Sequence, residues 1–145
     1  MSHWVPEARR RQAAERAEAI CEYCLIHEDD THLGCEVDHI VSEKHGGQTM
    51  AENLAYACFY CNRHKGSNVA SIDPISGELV RLFNPRMDKW SDHFQLQGGR
   101  VEWKSRIGEA TARLLGFNAL ERILERELLR AEGKYPSAAA RKRQE

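Results

Sequence analysis

Asp38 and His39 are adjacent residues whose side chains could together hydrolyse a phosphodiester. That reaction needs a water deprotonated next to phosphorus and a cation that stabilises the negative charge on the phosphate. A carboxylate is a hard oxygen ligand for such a cation, and an imidazole, which titrates near neutral pH, can accept the proton. An Asp-His pair alone is more often part of a surface turn than of an active site, so its surroundings decide its interpretation.

The pair lies in a short predicted strand, residues 35–41, in which β-branched side chains are frequent. Neighbouring side chains of a regular strand point to opposite faces. Asp38 and His39 can therefore reach one phosphate only if the strand ends or bends near Asp38. The Gly46-Gly47 turn that follows is consistent with an irregular loop at this point.

Two C-x-x-C pairs, Cys21/Cys24 and Cys58/Cys61, flank this segment. Two such knuckles supply the four thiolates that a structural zinc ion prefers, at Zn–S distances of about 2.3 Å. The alternatives are four unrelated cysteines and a redox dithiol, which usually occurs once and beside a βαβ pattern. The spacing favours a structural zinc site with no open position, and the fifth cysteine, Cys35, is expected to be a small buried hydrophobe.

Further motifs lie inside the same segment: Gly46-Gly47, Asn53-Leu54 and Cys58-x-x-Cys61-Asn62-Arg63-x-Lys65-Gly66. Together with Asp38-His39-Ile40-Val41 they resemble the HNH endonuclease family, whose fold is a β-hairpin followed by a helix around a metal. The resemblance spans residues 21–68, and several motifs in the correct order are more specific than any one of them.

The resemblance implies a role for each matching residue. His39 would be the general base, Asp38 would ligate a catalytic divalent ion such as Mg²⁺, and Asn53 would hold the backbone of the base by hydrogen bonding across the loop. At the third motif position this sequence has Asn62, where many members have histidine, and His64 follows two residues later. Positions two apart on a helix face away from one another, so one of the two is expected to serve as ligand, and Asn62 is favoured.

Basic residues are distributed unevenly, although the formal net charge is only −1. Arg63 and Lys65 flank the candidate site and are predicted to bind DNA phosphates, with a solvated helix face as the equal alternative. The clusters at residues 9–11 and 141–143 carry the same two interpretations.

The elements that would position the site divide the chain into four parts. Residues 1–20 contain an N-terminal helix over 6–20, residues 21–68 form the HNH core, residues 69–132 form a C-terminal hairpin and helical extension, and residues 133–145 form a flexible tail. Hairpins are expected at 72–83 and 93–103, and helices at 105–115 and 117–132, the last with an apolar face formed by Leu120, Ile123, Leu124 and Leu128. The fold class is α+β, and the extension resembles that of stand-alone bacterial HNH proteins.

The sequence therefore favours a metal-dependent endonuclease that hydrolyses DNA, by nicking or double-strand cleavage, with structural Zn²⁺ and catalytic Mg²⁺ or another divalent ion. A non-catalytic zinc module that binds nucleic acid or a protein is the alternative, and such a module does not need the Asp38-His39 pair. An RNA nuclease is a weaker option.

Location and partners are predicted from what the sequence does not contain. No apolar run approaches the roughly 20 residues needed to cross a bilayer, and the first residues lack the apolar stretch of a signal peptide. A cytoplasmic protein without a membrane partner is expected. Accessory proteins, a homodimer, sequence specificity and biological role stay open.

Overall fold

The computed structural model describes residues 4–145, which form six α-helices and six β-strands. The helices are α1 (Glu7–Ala17), α2 (Phe59–Lys65), α3 (Trp90–His93), α4 (Arg106–Leu114), α5 (Leu120–Ala131) and α6 (Ala138–Arg143). The strands are β1 (Cys35–His39), β2 (Leu54–Cys58), β3 (Ala70–Ile72), β4 (Leu79–Arg81), β5 (Phe94–Gln97) and β6 (Arg100–Trp103), and they pair in sequence order as antiparallel hairpins. The predicted α+β class is confirmed.

The hairpin β1–β2 and helix α2 form a ββα unit at the centre of residues 21–68. Asp38 pairs with Ala55 and His39 with Leu54, so both residues lie at the end of the β1 ladder. Helix α2 follows β2 without a loop, because Cys58 is its N-cap and the Cys58 sulfur accepts a hydrogen bond from the Cys61 amide at 3.4 Å. The same turn that starts the helix also brings two cysteines of one knuckle together.

Helix α1 lies against this hairpin through its small residues, with Ala13 and Ala17 buried. Arg16 donates to the main-chain oxygens of Ala51 and Leu54 at 2.9 and 2.6 Å, which ties the helix to the start of β2. The predicted helix over 6–20 is thus present, and it ends at Ala17, where Glu18 adopts a left-handed conformation with φ of 56°.

The C-terminal extension contains both predicted hairpins and both predicted helices, and α3 comes between the hairpins. The apolar face predicted for α5 differs from the one that is buried. Leu120, Leu124 and Leu128 are 69%, 54% and 69% exposed, whereas Arg122 and Arg126 are 4% and 1% exposed. The guanidinium groups are buried because each finds main-chain carbonyl acceptors inside the extension.

The flexible tail predicted over residues 133–145 is corrected by the structure, since α6 packs against the first cysteine knuckle. Tyr135 is buried and its hydroxyl donates to the Cys24 carbonyl oxygen at 2.8 Å. Ala140 is fully buried, and Arg143 forms an ion pair with Glu22 at 3.3 Å. These contacts join residues far apart in the chain, so local composition did not reveal them. Within residues 4–145 even the longer helices are too short and too polar to cross a bilayer.

Candidate active site and metal centre

The four cysteines of the two knuckles meet in a buried cluster. The sulfur atoms of Cys21, Cys24, Cys58 and Cys61 all lie within 4.8 Å of one another, and the Cys24 and Cys58 sulfurs are 3.7 Å apart. Thiolates at the corners of a zinc tetrahedron are separated by about 3.8 Å, given Zn–S bonds of about 2.3 Å. Among these neighbouring thiols, hydrogen bonding lowers the pKa of Cys24, and burial raises the pKa of Cys21. Donor type, number and spacing therefore fit a structural zinc ion.

Residues from the C-terminal extension surround this cluster. Arg122 of α5 places Nη2 3.3 Å from the Cys61 sulfur and 3.7 Å from the Cys58 sulfur. Trp90 donates its indole N–H to the Tyr23 carbonyl oxygen at 2.9 Å, inside the first knuckle. These contacts leave no signal in the sequence, because they depend on how the extension packs against the core.

Glu22, between the two cysteines of the first knuckle, is a buried carboxylate with several partners. One oxygen accepts from the Tyr56 amide at 2.9 Å, and the other pairs with Arg86 and Arg143. Glu22 itself is inaccessible to solvent. Two guanidinium groups from the extension and tail thus compensate a charge that would be costly to bury alone.

Asp38 is 5% exposed and lies between a cation and a phenol. One of its oxygens is 3.1 Å from the Lys65 ammonium nitrogen and accepts from the Tyr23 hydroxyl at 3.2 Å. Burial raises the pKa of Asp38, and the ion pair with Lys65 opposes that shift. The carboxylate is therefore held in one orientation inside the protein.

His39 is the last residue of β1, so the strand ends at the point where the Asp-His pair needs it to end. The Ile40 amide already bonds to the Asn53 carbonyl oxygen, outside the regular ladder, at 2.9 Å. Nε2 of His39 lies 2.9 Å from the Thr49 hydroxyl oxygen, which orients the ring. Although they are neighbours in the chain, Asp38 and His39 line the same cleft.

Asn53 braces the loop that follows the histidine. Its Oδ1 accepts from the Val41 amide at 2.9 Å, and its Nδ2 donates to the carbonyl oxygens of Val41 and Gln48 at 2.8 and 2.9 Å. Gly47 approaches this brace so closely that a Cβ atom there would lie 1.7 Å from the Val41 oxygen. Gly47 is thus required for close packing, whereas Gly46, with a φ of 89°, provides the turn.

Helix α2 presents its residues to different surroundings. Asn62 and Arg63 line the cleft with Asp38 and His39. The ring of His64 stacks on the Tyr60 ring with 5.1 Å between centroids, and its Nδ1 lies 2.8 Å from the main-chain carbonyl oxygen of Tyr60. His64 does not line the cleft. Of the two alternative ligands, the structure brings only Asn62 to the site.

Lys65, which is predicted to bind DNA, lies inside the protein. The side chain is 2% exposed, and its ammonium nitrogen contacts Asp38 and the carbonyl oxygens of His39 and Ile40. An ammonium group has three N–H donors, and these contacts are enough to occupy all of them. Arg63 is exposed, and the prediction that it binds DNA phosphates stays a prediction.

The cleft has a volume of about 630 Å³, and two further charged residues line it. Glu36 precedes Asp38 by two residues and accepts a hydrogen bond from the side-chain Nδ2 of Asn62 at 3.2 Å. Residues two apart on a strand share a face, so the alternation of β1 could have identified Glu36. Arg10 reaches the cleft from α1, and its position follows only from the packing of α1 beside β1.

Comparison with known proteins finds similarity to a nuclease family in one part of the chain. Residues 21–68 match the family model described as HNH endonuclease. The chain is similar to the Septu protein PtuB of Bacillus thuringiensis, with 26% identity over 111 residues that cover 75% of this chain. It spans 40% of the length of that relative. No solved structure matches the chain.

Proposed function

We propose that this chain, whose residues 21–68 match the HNH endonuclease model and fold as a zinc-site ββα unit, is a metal-dependent endonuclease that hydrolyses DNA. The observation that carries the proposal is the convergence of Asp38, His39 and Asn62 on one cleft, next to the brace formed by Asn53. Nothing in a purely structural zinc module requires that convergence.

His39 acts as the general base in this proposal. Thr49 holds its ring, and Asn53 holds the loop behind it, so the imidazole is oriented before substrate arrives. Preorganisation of this kind reduces the cost of reaching the reactive geometry. The imidazole takes the proton from the attacking water as the water approaches phosphorus.

Asp38 and Asn62 are the residues that would hold a catalytic divalent ion, with Glu36 beside them. Carboxylate and amide oxygens are the ligands that Mg²⁺ takes in proteins. A divalent ion held there would stabilise negative charge on the phosphate and on the leaving oxygen. Lys65 and Tyr23 fix the Asp38 carboxylate, so the ligand does not have to be ordered when the ion binds.

Arg10 and Arg63 bind the DNA backbone in this proposal. They come from α1 and α2 and line the same cleft, so they can neutralise phosphates next to the reacting one. Such contacts fix the register of the duplex without reading its sequence. Cleavage with little intrinsic sequence preference is the expected consequence.

We also propose in which compartment the protein works and what binds it. A reduced compartment such as the cytoplasm suits the free thiols, which must bind zinc rather than form disulfides. The exposed leucines of α5 are available to an accessory protein or a second copy. Whether one or both strands are cut depends on whether two sites act together.

A non-catalytic zinc module is the second candidate, and one observation favours it. Asp38 is already bound by Lys65 and Tyr23, as the carboxylate of a structural ion pair would be. In that case the cleft would bind nucleic acid without cutting it. Calorimetry with the zinc-loaded protein separates the two, because a second divalent site is expected only for the nuclease.

Matched DNA and RNA oligonucleotides test the proposed function directly. The zinc-loaded protein is incubated with each strand, single and duplex, in Mg²⁺, in Mn²⁺ and in EDTA. We expect metal-dependent cleavage of DNA. Cleavage of RNA alone would replace the substrate, and binding without cleavage in any metal would favour the non-catalytic module.

A further inference from the structure

Lys65 contacts three consecutive residues at the end of β1. Its Nζ lies 3.1 Å from one oxygen of Asp38 and 3.4 Å from the other, and it donates to the carbonyl oxygens of His39 and Ile40 at 3.1 Å each. An ammonium group has three protons and no acceptor. All of its donors are thus directed at the residues that form the candidate site.

These contacts connect α2 to the backbone of the strand end. Beyond His39 the regular ladder stops, and the two carbonyl oxygens bound by Lys65 belong to the residues at which it stops. The Lys65 side chain therefore contacts both the Asp38 carboxylate and the backbone at which the chain leaves the strand.

We propose that Lys65 is a positioning residue, which fixes Asp38 and the backbone of His39 and Ile40 and binds no DNA phosphate. This inference rests on the proposed nuclease function. It assigns Lys65 and Arg63, two residues apart on α2, to different roles: Lys65 is buried and acts through other residues, and Arg63 is exposed in the cleft.

The test compares Lys65→Met with Arg63→Met. For Lys65→Met we expect kcat to fall roughly 10- to 100-fold, the scale of a small misplacement of reacting groups. The affinity for DNA and its salt dependence should stay those of the wild type. For Arg63→Met we expect weaker DNA binding and a salt slope smaller by about 1, as for the loss of one phosphate contact.

Zinc content and the unfolding midpoint show whether Lys65→Met has folded. If Lys65→Met has not folded, Lys65→Gln takes its place in the same comparison. Because Gln keeps two N–H donors, kcat should fall less than the range expected for Lys65→Met. A fall in the salt slope for the Lys65 variant equal to that of Arg63→Met would overturn the proposal, as would wild-type kcat. If the wild type cuts no DNA, both the proposed function and the role of Lys65 fail. If the wild type and Lys65→Met cut DNA equally well, only the role of Lys65 is overturned.

Arg122 lies outside residues 21–68 and contacts the cysteine cluster. Besides its contacts with the sulfurs of Cys61 and Cys58, its Nη1 donates to the carbonyl oxygens of Leu115 and Gly116 at 2.9 and 3.3 Å. The guanidinium carbon lies 4.7 Å from the centre of the Tyr60 ring. The group is fixed by a carbonyl pair on one side and an aromatic face on the other.

Four thiolates around Zn²⁺ carry a net negative charge, and burying a net charge is unfavourable unless it is compensated. A guanidinium at N–H···S distance supplies a compensating positive charge, which stabilises the thiolate relative to the protonated thiol. Partners of this kind around metal ligands typically change metal affinity by roughly 10- to 100-fold when they are removed.

We infer that Arg122 stabilises the zinc thiolates of Cys58 and Cys61 and slows loss of the ion. Arg126 provides a matched control, because it lies one turn further along α5, is equally buried, and donates to the carbonyl oxygens of Gly99 and Phe117 instead of to sulfur. Both substitutions remove a buried guanidinium, and only one removes a contact with sulfur.

Zinc transfer to a chromogenic chelator is measured for the wild type, Arg122→Met and Arg126→Met, well below the unfolding midpoint of each. We expect transfer to be roughly 10- to 100-fold faster in Arg122→Met and near the wild-type rate in Arg126→Met. The thiolate-to-metal absorption of the Co²⁺-loaded protein should shift only in Arg122→Met. Equal transfer rates and equal spectra for the two variants would overturn the inference.

Discussion

Asn53 and Val41 form a closed pair of hydrogen bonds: the Val41 amide donates to Asn53 Oδ1 at 2.9 Å, and Asn53 Nδ2 donates to the Val41 carbonyl oxygen at 2.8 Å. A side-chain amide here replaces the partner strand at the point where β1 has ended. We predict that Asn53→Ala lowers the free energy of unfolding by about 1–3 kcal/mol, since main-chain groups lose their partners. Activity should fall more than tenfold, roughly as for a misplaced base, in plasmid cleavage by folded protein. Wild-type activity at reduced stability would restrict Asn53 to a role in folding.

Gly47 is predicted to tolerate no side chain. A Cβ atom would meet the Val41 oxygen at 1.7 Å and Asn53 Nδ2 at 2.9 Å, so Gly47→Ala must break the brace. Gly46→Ala is the control, because a Cβ atom there meets nothing within 4 Å and only a φ of 89° opposes it. The thermal unfolding midpoint should fall further in Gly47→Ala than in Gly46→Ala, and Gly47→Ala should also lose cleavage activity. The opposite order would contradict the close packing described.

Tyr135 tests the packed tail. Tyr135→Phe removes the donor to the Cys24 carbonyl oxygen, which is buried, and should cost about 1–3 kcal/mol in denaturant unfolding of the zinc-loaded protein. Tyr60→Phe loses an exposed hydrogen bond to Glu121 and should change stability by less than about 0.5 kcal/mol. A Tyr135→Phe variant as stable as the wild type would mean that the tail does not support the first knuckle.

Arg10, which lies outside residues 21–68, is predicted to bind a DNA phosphate. Arg10→Ala should weaken DNA binding and lower the salt slope by about 1. Arg9, which bonds to Gln12 and does not line the cleft, provides the control. Binding isotherms at several salt concentrations decide the matter, and equal slopes for Arg9→Ala and Arg10→Ala would remove Arg10 from the substrate site.

Residues close together in sequence were the ones that could be predicted. The cysteine spacing, the Asp38-His39 pair and the loop to Asn53 are local patterns. In the structure the four cysteines form one cluster, and Asp38 and His39 line one cleft. Lys65 was predicted to bind phosphate because its motif places it beside the site, and only the packing of α2 on β1 reveals that it points inward. Arg122 is missing from the sequence prediction for the same reason, since a helical period cannot tell which face of α5 will find carbonyl and sulfur acceptors.

The tail shows the same limit in another way. Its composition is that of a frayed end, and single contacts such as the one between Arg143 and Glu22 link it to the first knuckle across most of the chain. Pairings of that separation leave no local signal. The leucines of α5 show the converse, because their spacing suggests a core face and the structure leaves them exposed.

Nicking of supercoiled plasmid by the wild type and by His39→Ala shows whether His39 is the general base. Both proteins are brought to equal zinc content and assayed in Mg²⁺, in Mn²⁺ and in EDTA. The proposed role of His39 predicts metal-dependent nicking by the wild type and a loss of roughly 10²- to 10⁴-fold in the variant, the scale of a missing general base. Nicking by folded His39→Ala at the wild-type rate would contradict it.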